Sequence, residues 1–108
     1  MMSQLPKPYQ HFGKQYAEIY QAYEGLGETI AKVSVLEQKT RELIKLGMAA
    51  ASKSESAVQS HTHRALEAGA TAQEIEHAIL LGITTLGFPT TMAALTWAKE
   101  AIEDHLED

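Results

Sequence analysis

Cysteine is absent from all 108 residues. That omission excludes a disulfide framework, a thiolate nucleophile, and any zinc or iron–sulfur site that needs thiolate ligands. Clustered positive charge is missing as well: 9 Lys and Arg are spread along the chain against 14 Asp and Glu, for a formal net charge of −5. No basic stripe is left to track a phosphate backbone, so nucleic acid is not an expected partner. The opening MMSQLPKPYQHFGKQY has no apolar core of the kind a signal peptide carries, and a cytoplasmic location is the expectation.

Asp, Glu, Lys and Arg are also missing between Glu76 and Lys99, in HAILLGITTLGFPTTMAALTWA. Its threonines and the Gly87-Phe88-Pro89 break suit two helices joined by a turn better than one membrane-spanning helix. No membrane partner is expected. Such apolar length in a small chain is instead read as surface buried between subunits, and a homo-oligomer is the expectation.

What is present has helical spacing throughout. Tyr9, Phe12, Tyr16, Ile19 and Tyr23 step by threes and fours along one helix face, which Gly25 and Gly27 are expected to end. Ser34 and Glu37 in SVLE have the spacing of a capping box and predict a helix from about Val35 to Ala51, burying Leu36, Leu43, Gly47 and Ala50. After the polar connection SKSES a third helix runs to Ala68, where Gly69 supplies a left-handed stop. Thr71 and Glu74 repeat the capping-box spacing ahead of a helix whose inner face is Ile75, Ala78, Ile79, Gly82, Ile83 and Leu86. A last helix from about Thr91 to Leu106 turns Met92, Leu95, Ala98, Ile102 and Leu106 inward. No segment has strand periodicity, so the fold class is all-α, a single-domain bundle of about five helices spanning 1–108 with its core at about 36–101.

Two histidines stand close together in SKSESAVQSHTHRALEAGAT. On a helical wheel Ser54, Ala57, His61, Ala65 and Ala68 share one arc with His61 near its centre, and His63 falls almost opposite, beside Gln59 and Glu67. The wheel therefore turns His61 into the small-residue surface and His63 toward solvent or a polar neighbour. Two imidazoles on one helix chelate a metal at a spacing of three or four, and no acidic residue completes such a pair here, so neither a metal site nor a cofactor is expected. Glu42, in KTRELIKLG, lies at the margin of its helix's apolar face. It can turn outward to Lys39 or Lys45, a surface contact of little value, or inward to His61, where a carboxylate would orient an imidazole and raise its basicity for general acid or base work.

The stretch TRELIKLGMAAASKSESAVQSHTHRALEAGATAQEIEHAI resembles the carboxymuconolactone decarboxylase family, which includes the alkylhydroperoxidase D-like proteins, and the likeness covers roughly Leu36 to Ala101. The resemblance implies an alkylhydroperoxidase D-like helical fold. It puts Glu42 in the place of the family's glutamate and His61 in the place of its histidine. The peroxidase branch carries a Cys-x-x-Cys ahead of that histidine; here its two places, and the pocket the resemblance implies around them, fall on Ser54 and Ala57. Neither can cycle through sulfenic acid and disulfide, so thiol peroxidase chemistry is excluded. The decarboxylase branch does not use the cysteine pair, and its substrate resembles a small lactone bearing carboxylates. Losing carbon dioxide from such a molecule needs an anion-holding pocket and a proton donor, roles open to His61 with Glu42 as its orienter. Lys39, Arg41, Lys45 and Arg64 are expected to face mostly outward, which would leave the cation to a neighbouring subunit. The resemblance further implies trimers or hexamers with helices of adjacent subunits closing the site. The alternative is a non-catalytic binding or structural oligomer that has lost its thiols.

Overall fold

The computed structural model describes residues 7–107. Residues 1–6, part of the stretch considered above for a signal, and Asp108 lie outside the described residues. Helices follow one another as α1 (Lys7–Gln15), α2 (Ala17–Val33), α3 (Gln38–Ala51), α4 (Glu55–Glu67), α5 (Ala72–Leu80), α6 (Ile83–Leu86) and α7 (Phe88–Glu107). Among the described residues the architecture is all-α: six helices of at least 9 residues and the single turn α6.

The body is built from α3, α4, α5 and α7. The most extensive packing is α3 on α4 and α4 on α7, with α5 bridging α3 and α7. Leu46, Val58, Ala65, Ile75, Ile79, Ala94 and Ala98 form its centre, none more than 2% exposed. Alanines at three of these positions, Ala65, Ala94 and Ala98, let the helix axes approach closely, and the larger Leu46, Val58, Ile75 and Ile79 fill what is left.

Local chemistry sets most of the boundaries. Ser54 caps α4, its hydroxyl accepting from the Ala57 amide at 3.2 Å. Thr71 and Glu74 form the reciprocal box at the start of α5, with hydrogen bonds of 3.0 and 2.9 Å. Gly69 leaves α4 at φ +98°, a conformation that a side chain would resist.

In the N-terminal half the chain departs from the expected boundaries. Gly25 and Gly27 do not stop the first helix; the break is at Tyr16 (φ −125°, ψ 58°), and α2 runs through both glycines to Val33. A helical glycine costs only about 1 kcal/mol, and the apolar seam continues past both at Leu26, Ile30 and Val33. Ser34 does not cap α3: its hydroxyl accepts from the Leu36 amide at 3.1 Å, a tight local turn, and α3 starts at Gln38 with Leu36 44% exposed. Farther on, α5 ends at Leu80 and α7 begins at Phe88, after Gly87 at φ +96°, placing Pro89 in a first turn that needs no amide. Ile83, Met92 and Leu106, expected inward, are exposed.

One consequence is an uncovered apolar stripe. Ile19, Tyr23, Leu26, Ile30 and Val33 alternate spacings of four and three along α2 and are 50–76% exposed. Helices α1 and α2 pack chiefly on each other, and neither buries a residue fully. Among the described residues no helix is long and apolar enough to cross a membrane.

Leu46, 0% exposed where α3 meets its neighbours, is among the largest fully buried side chains of the body. Leu46→Ala is expected to cost about 2–5 kcal/mol of unfolding free energy in urea titrations.

Candidate functional site

Glu42 sits one turn before Leu46 on α3, so the packing that buries the leucine draws the carboxylate into the α3–α4 interface, where the residue is only 9% exposed. His61 reaches it from α4, with His61 Nδ1 3.1 Å from Glu42 Oε1. An ionised carboxylate accepts only, so Nδ1–H donates and Nε2 is the basic nitrogen of the neutral ring. Burial pushes the Glu42 carboxyl up, but the hydrogen bond from His61 and the charges of His61, Lys45 and Arg64 outweigh it and hold the group below its usual 4.5. Glu42 is therefore an anion at neutral pH.

His61 also lines a cavity of about 380 Å³, closed by Pro8, Tyr9 and Phe12 of α1, Tyr20 and Tyr23 of α2, and Ser60 and Arg64 of α4. The expected outward orientation of Arg64 is corrected here. Three residues after His61, it shares that face of α4, and its Nε–H is buried with no hydrogen-bond partner among the described residues. Lys39 and Arg41 are engaged elsewhere, Lys39 with Glu74 at 3.1 Å and Arg41 with the Leu36 carbonyl. Burial, then the hydrogen bond with Glu24 and its charge, raise the Tyr20 phenol, while Arg64 pulls the other way. Tyr20 thus remains a neutral phenol at physiological pH. Sequence reasoning missed Arg64 and Tyr20 as wall residues; the i, i+3 spacing of His61 and Arg64 was the available signal.

Ser54 and Ala57 lie outside the lining of this cavity. Ser54 serves as the α4 cap, and Ala57 packs against the core.

His63 has the polar neighbours expected of it, but the expected burial of the two histidines is reversed: the His63 side chain is 5% exposed and that of His61 23%. Helix α4 is covered on two sides: its buried stripe is Val58, Thr62 and Ala65, and the histidines flank Thr62 by about 100° each. One faces α3 and the cavity, the other α7, where His63 Nδ1 lies 3.2 Å from His105 Nδ1 and Nε2 lies 3.6 Å from Asp104. Among the described residues no group of three or more His, Cys, Asp or Glu is placed to hold a metal ion.

A larger groove of about 820 Å³ runs between α3 and α5, lined largely by Leu43, Ile44, Met48, Leu81 and Leu86. Its acid, Glu74, is occupied by Lys39 and the α5 cap. His77 lines the groove as well, but of the two only the smaller cavity has a guanidinium, that of Arg64, in its wall beside an imidazole.

The sequence profile of the carboxymuconolactone decarboxylase family matches residues 17–100. The chain belongs to this family. A crystal structure of a carboxymuconolactone decarboxylase family protein from Legionella pneumophila, in its apo form, superposes with a TM-score of 0.73 at 26% identity, covering 88% of this chain and 84% of that one. A Burkholderia xenovorans protein provisionally named a carboxymuconolactone decarboxylase gives 0.70 at 28% identity over 95% and 83%. An uncharacterized protein of Haemophilus influenzae is 41% identical over 63 residues, a stretch that spans 58% of this chain and 56% of that protein.

The lowered carboxyl of Glu42 ties stability to pH. Its contribution is complete above the ordinary 4.5 and is lost as pH falls through the depressed folded value. Glu42→Gln is expected to cost about 1 kcal/mol at pH 7, and the gap between wild type and variant should close below the ordinary carboxylate range in urea titrations at stepped pH.

Proposed function

We propose that this family member is a thiol-independent acid–base enzyme acting on a small carboxylated ring or lactone, by decarboxylation or proton transfer. The observation that carries the reading is the Glu42–His61 pair, hydrogen-bonded at 3.1 Å, with the imidazole in the wall of a cavity that also holds Arg64. In decarboxylation the bond to the departing carboxylate breaks and its electron pair passes into an enolate. His61 in its protonated form supplies the proton that the carbon takes up, and Glu42 holds the ring in place and stabilises the imidazolium before transfer. Arg64 offers a guanidinium to a substrate carboxylate.

The second reading, a non-catalytic oligomeric binding or structural homologue, draws support from Ser54, which at one of the family's thiol places acts as a helix cap. Turnover separates the two. His61→Ala is expected to lower decarboxylation of a carboxylated lactone, followed as carbon dioxide release, by about 10²–10⁴-fold, with sedimentation unchanged. His61→Gln, which keeps a donor for Glu42, should be equally slow. Undiminished turnover in both variants would sink the enzyme reading.

A homo-oligomer, trimer or hexamer as the family resemblance implies, belongs to the same proposal. The α2 stripe is the surface for it: an amphipathic helix with its apolar face in water is not stable alone and gains by meeting a second copy. Because Tyr23 belongs both to that stripe and to the cavity wall, assembly would also close the site. Leu26→Glu with Ile30→Glu should shift the sedimenting species to monomer, while circular dichroism keeps its helical signature.

A further inference from the structure

Among the described residues two ionisable ones are buried, Glu42 and His63, and the acid–base reading uses only the first. His63 sits on the flank of α4 that faces α7, its side chain 5% exposed. From α7, His105 brings its Nδ1 to 3.2 Å from His63 Nδ1, with the ring centroids 5.4 Å apart and the planes tilted by 45°. A hydrogen bond between two imidazoles has a proton count. Each neutral ring carries one N–H and one bare nitrogen, so a single hydrogen stands between the two Nδ1 atoms, donated by one ring and accepted by the other. One added proton leaves the bond in place, because it goes to Nε2 of the donor ring. A second removes the acceptor: both rings are then imidazolium, and two N–H groups meet with like charge behind each.

The surroundings do not replace that acceptor. The charged residues that wall the small hollow beside His63 are all acidic, Glu55 of α4 and Glu100 and Asp104 of α7, and they accompany a first added proton. Asp104 Oδ2 lies 3.6 Å from His63 Nε2, the nitrogen that does not meet His105, and its side chain is 69% exposed, so water screens much of its charge. Between two Nδ1 atoms 3.2 Å apart there is no room for a third group. The same pair holds the end of α7. Beyond Ile102, Glu103, Asp104, Leu106 and Glu107 are all exposed, and His105 alone is half-buried. With no apolar side chain of this turn packed on the body, the contact with His63 is what opposes the fraying expected of a helix end.

We propose that His63 and His105 form a proton-operated latch: the last turn of α7 is held on α4 while the two Nδ1 atoms share one hydrogen, and is released when both rings are protonated. A free histidine takes up its proton at about 6.5. Below that pH the released turn therefore binds more protons than the latched one, so the latch is complete above the ordinary histidine range and weakens as pH falls through and below it. The Glu42–His61 pair lies on the other flank and keeps its bond in both states, since His61 Nδ1–H donates whether or not Nε2 is protonated. The latch is independent of the reaction proposed above.

Nitrogen NMR of the imidazoles and amide hydrogen exchange of the full chain, stepped from about pH 8 to about pH 5, test the proposal. Glu42, held below the usual carboxylate value, stays ionised across this range. At the upper end one Nδ1 of the pair is expected to be protonated and the other bare, with the amides of residues 104–107 protected. As the second proton binds, those amides should exchange at least about fivefold faster relative to their intrinsic rates, the loss of one hydrogen bond, while the amides of the α4 core at Val58 and Thr62 keep their protection. His105→Gln, whose side-chain amide both donates and accepts, should hold the turn equally at both ends of the range; His105→Ala should leave it unprotected at both. Protection that is unchanged once both rings are charged overturns the latch, as does an equal loss of protection in His105→Gln, or a pair that never takes its second proton in this range. The wild-type titration carries the test even where a variant fails to fold.

Discussion

A carboxylate does not go into a helix interface unaccompanied. Taken out of water without a partner, Glu42 would cost several kcal/mol or take up a proton, and α3 could not lie where it does on α4. The hydrogen bond from His61 makes the burial tolerable, and the geometry of the site follows from it. The bond fixes the imidazole plane, assigns the proton of the neutral ring to Nδ1, leaves Nε2 as the basic nitrogen and keeps Glu42 ionised at neutral pH. Structure and chemistry therefore use the same interaction. The contact that lets Leu46 and Ala49 close on α4 is also the contact that, on the proposed reading, prepares an acid–base residue.

Helix α4 lies between the two halves of the molecule, packed on α3 and α7 and facing α1 and α2 across the cavity. Its central stripe, Val58, Thr62 and Ala65, is dry, and its flanks differ in kind. One flank, Ser60, His61 and Arg64, opens toward the aromatic helices α1 and α2. The other fastens to α7 through His63, His105 and Asp104. The second flank is a clamp: two ring nitrogens 3.2 Å apart can share one proton, one ring donating and the other accepting. Anchoring on that side leaves the first flank free to present a histidine and an arginine at a spacing of one helical turn, rigid enough to hold a small ligand.

Much of this was legible in the residues because local chemistry decided it. The Thr71–Glu74 box, the Gly69 stop and the α5 and α7 core positions Ile75, Ile79, Leu95, Ala98 and Ile102 depend on short-range bonds and a single apolar period, and they stand where the sequence puts them. The errors came where two signals competed. Ser34 had the spacing of a cap, but its hydroxyl closed a turn with Leu36 first. Gly25 and Gly27 have the composition of a stop, but the heptad-like seam on either side continues the helix through them at small cost. The relative burial of the histidines was misread for a different reason. A helical wheel assumes one buried face, and α4 has a neighbour on each side, so His63, opposite the expected inner arc, is buried as well. Arg64 was lost to the same assumption.

Absence of cysteine does not by itself leave the chain without a site. Ser54 and Ala57, which the resemblance puts at the two thiol places, serve the fold here, one as a cap and the other as core packing, and neither reaches the cavity at His61. A redox pair and an acid–base pair make different demands on a scaffold. The former needs two thiols free to approach one another. The latter needs a carboxylate and an imidazole held at fixed distance beside a place where substrate charge is welcome. Helix α3 supplies the carboxylate, α4 the imidazole and the guanidinium, and α1 with α2 the aromatic walls. The proton-handling half of the arrangement depends on none of the atoms that a thiol mechanism would require.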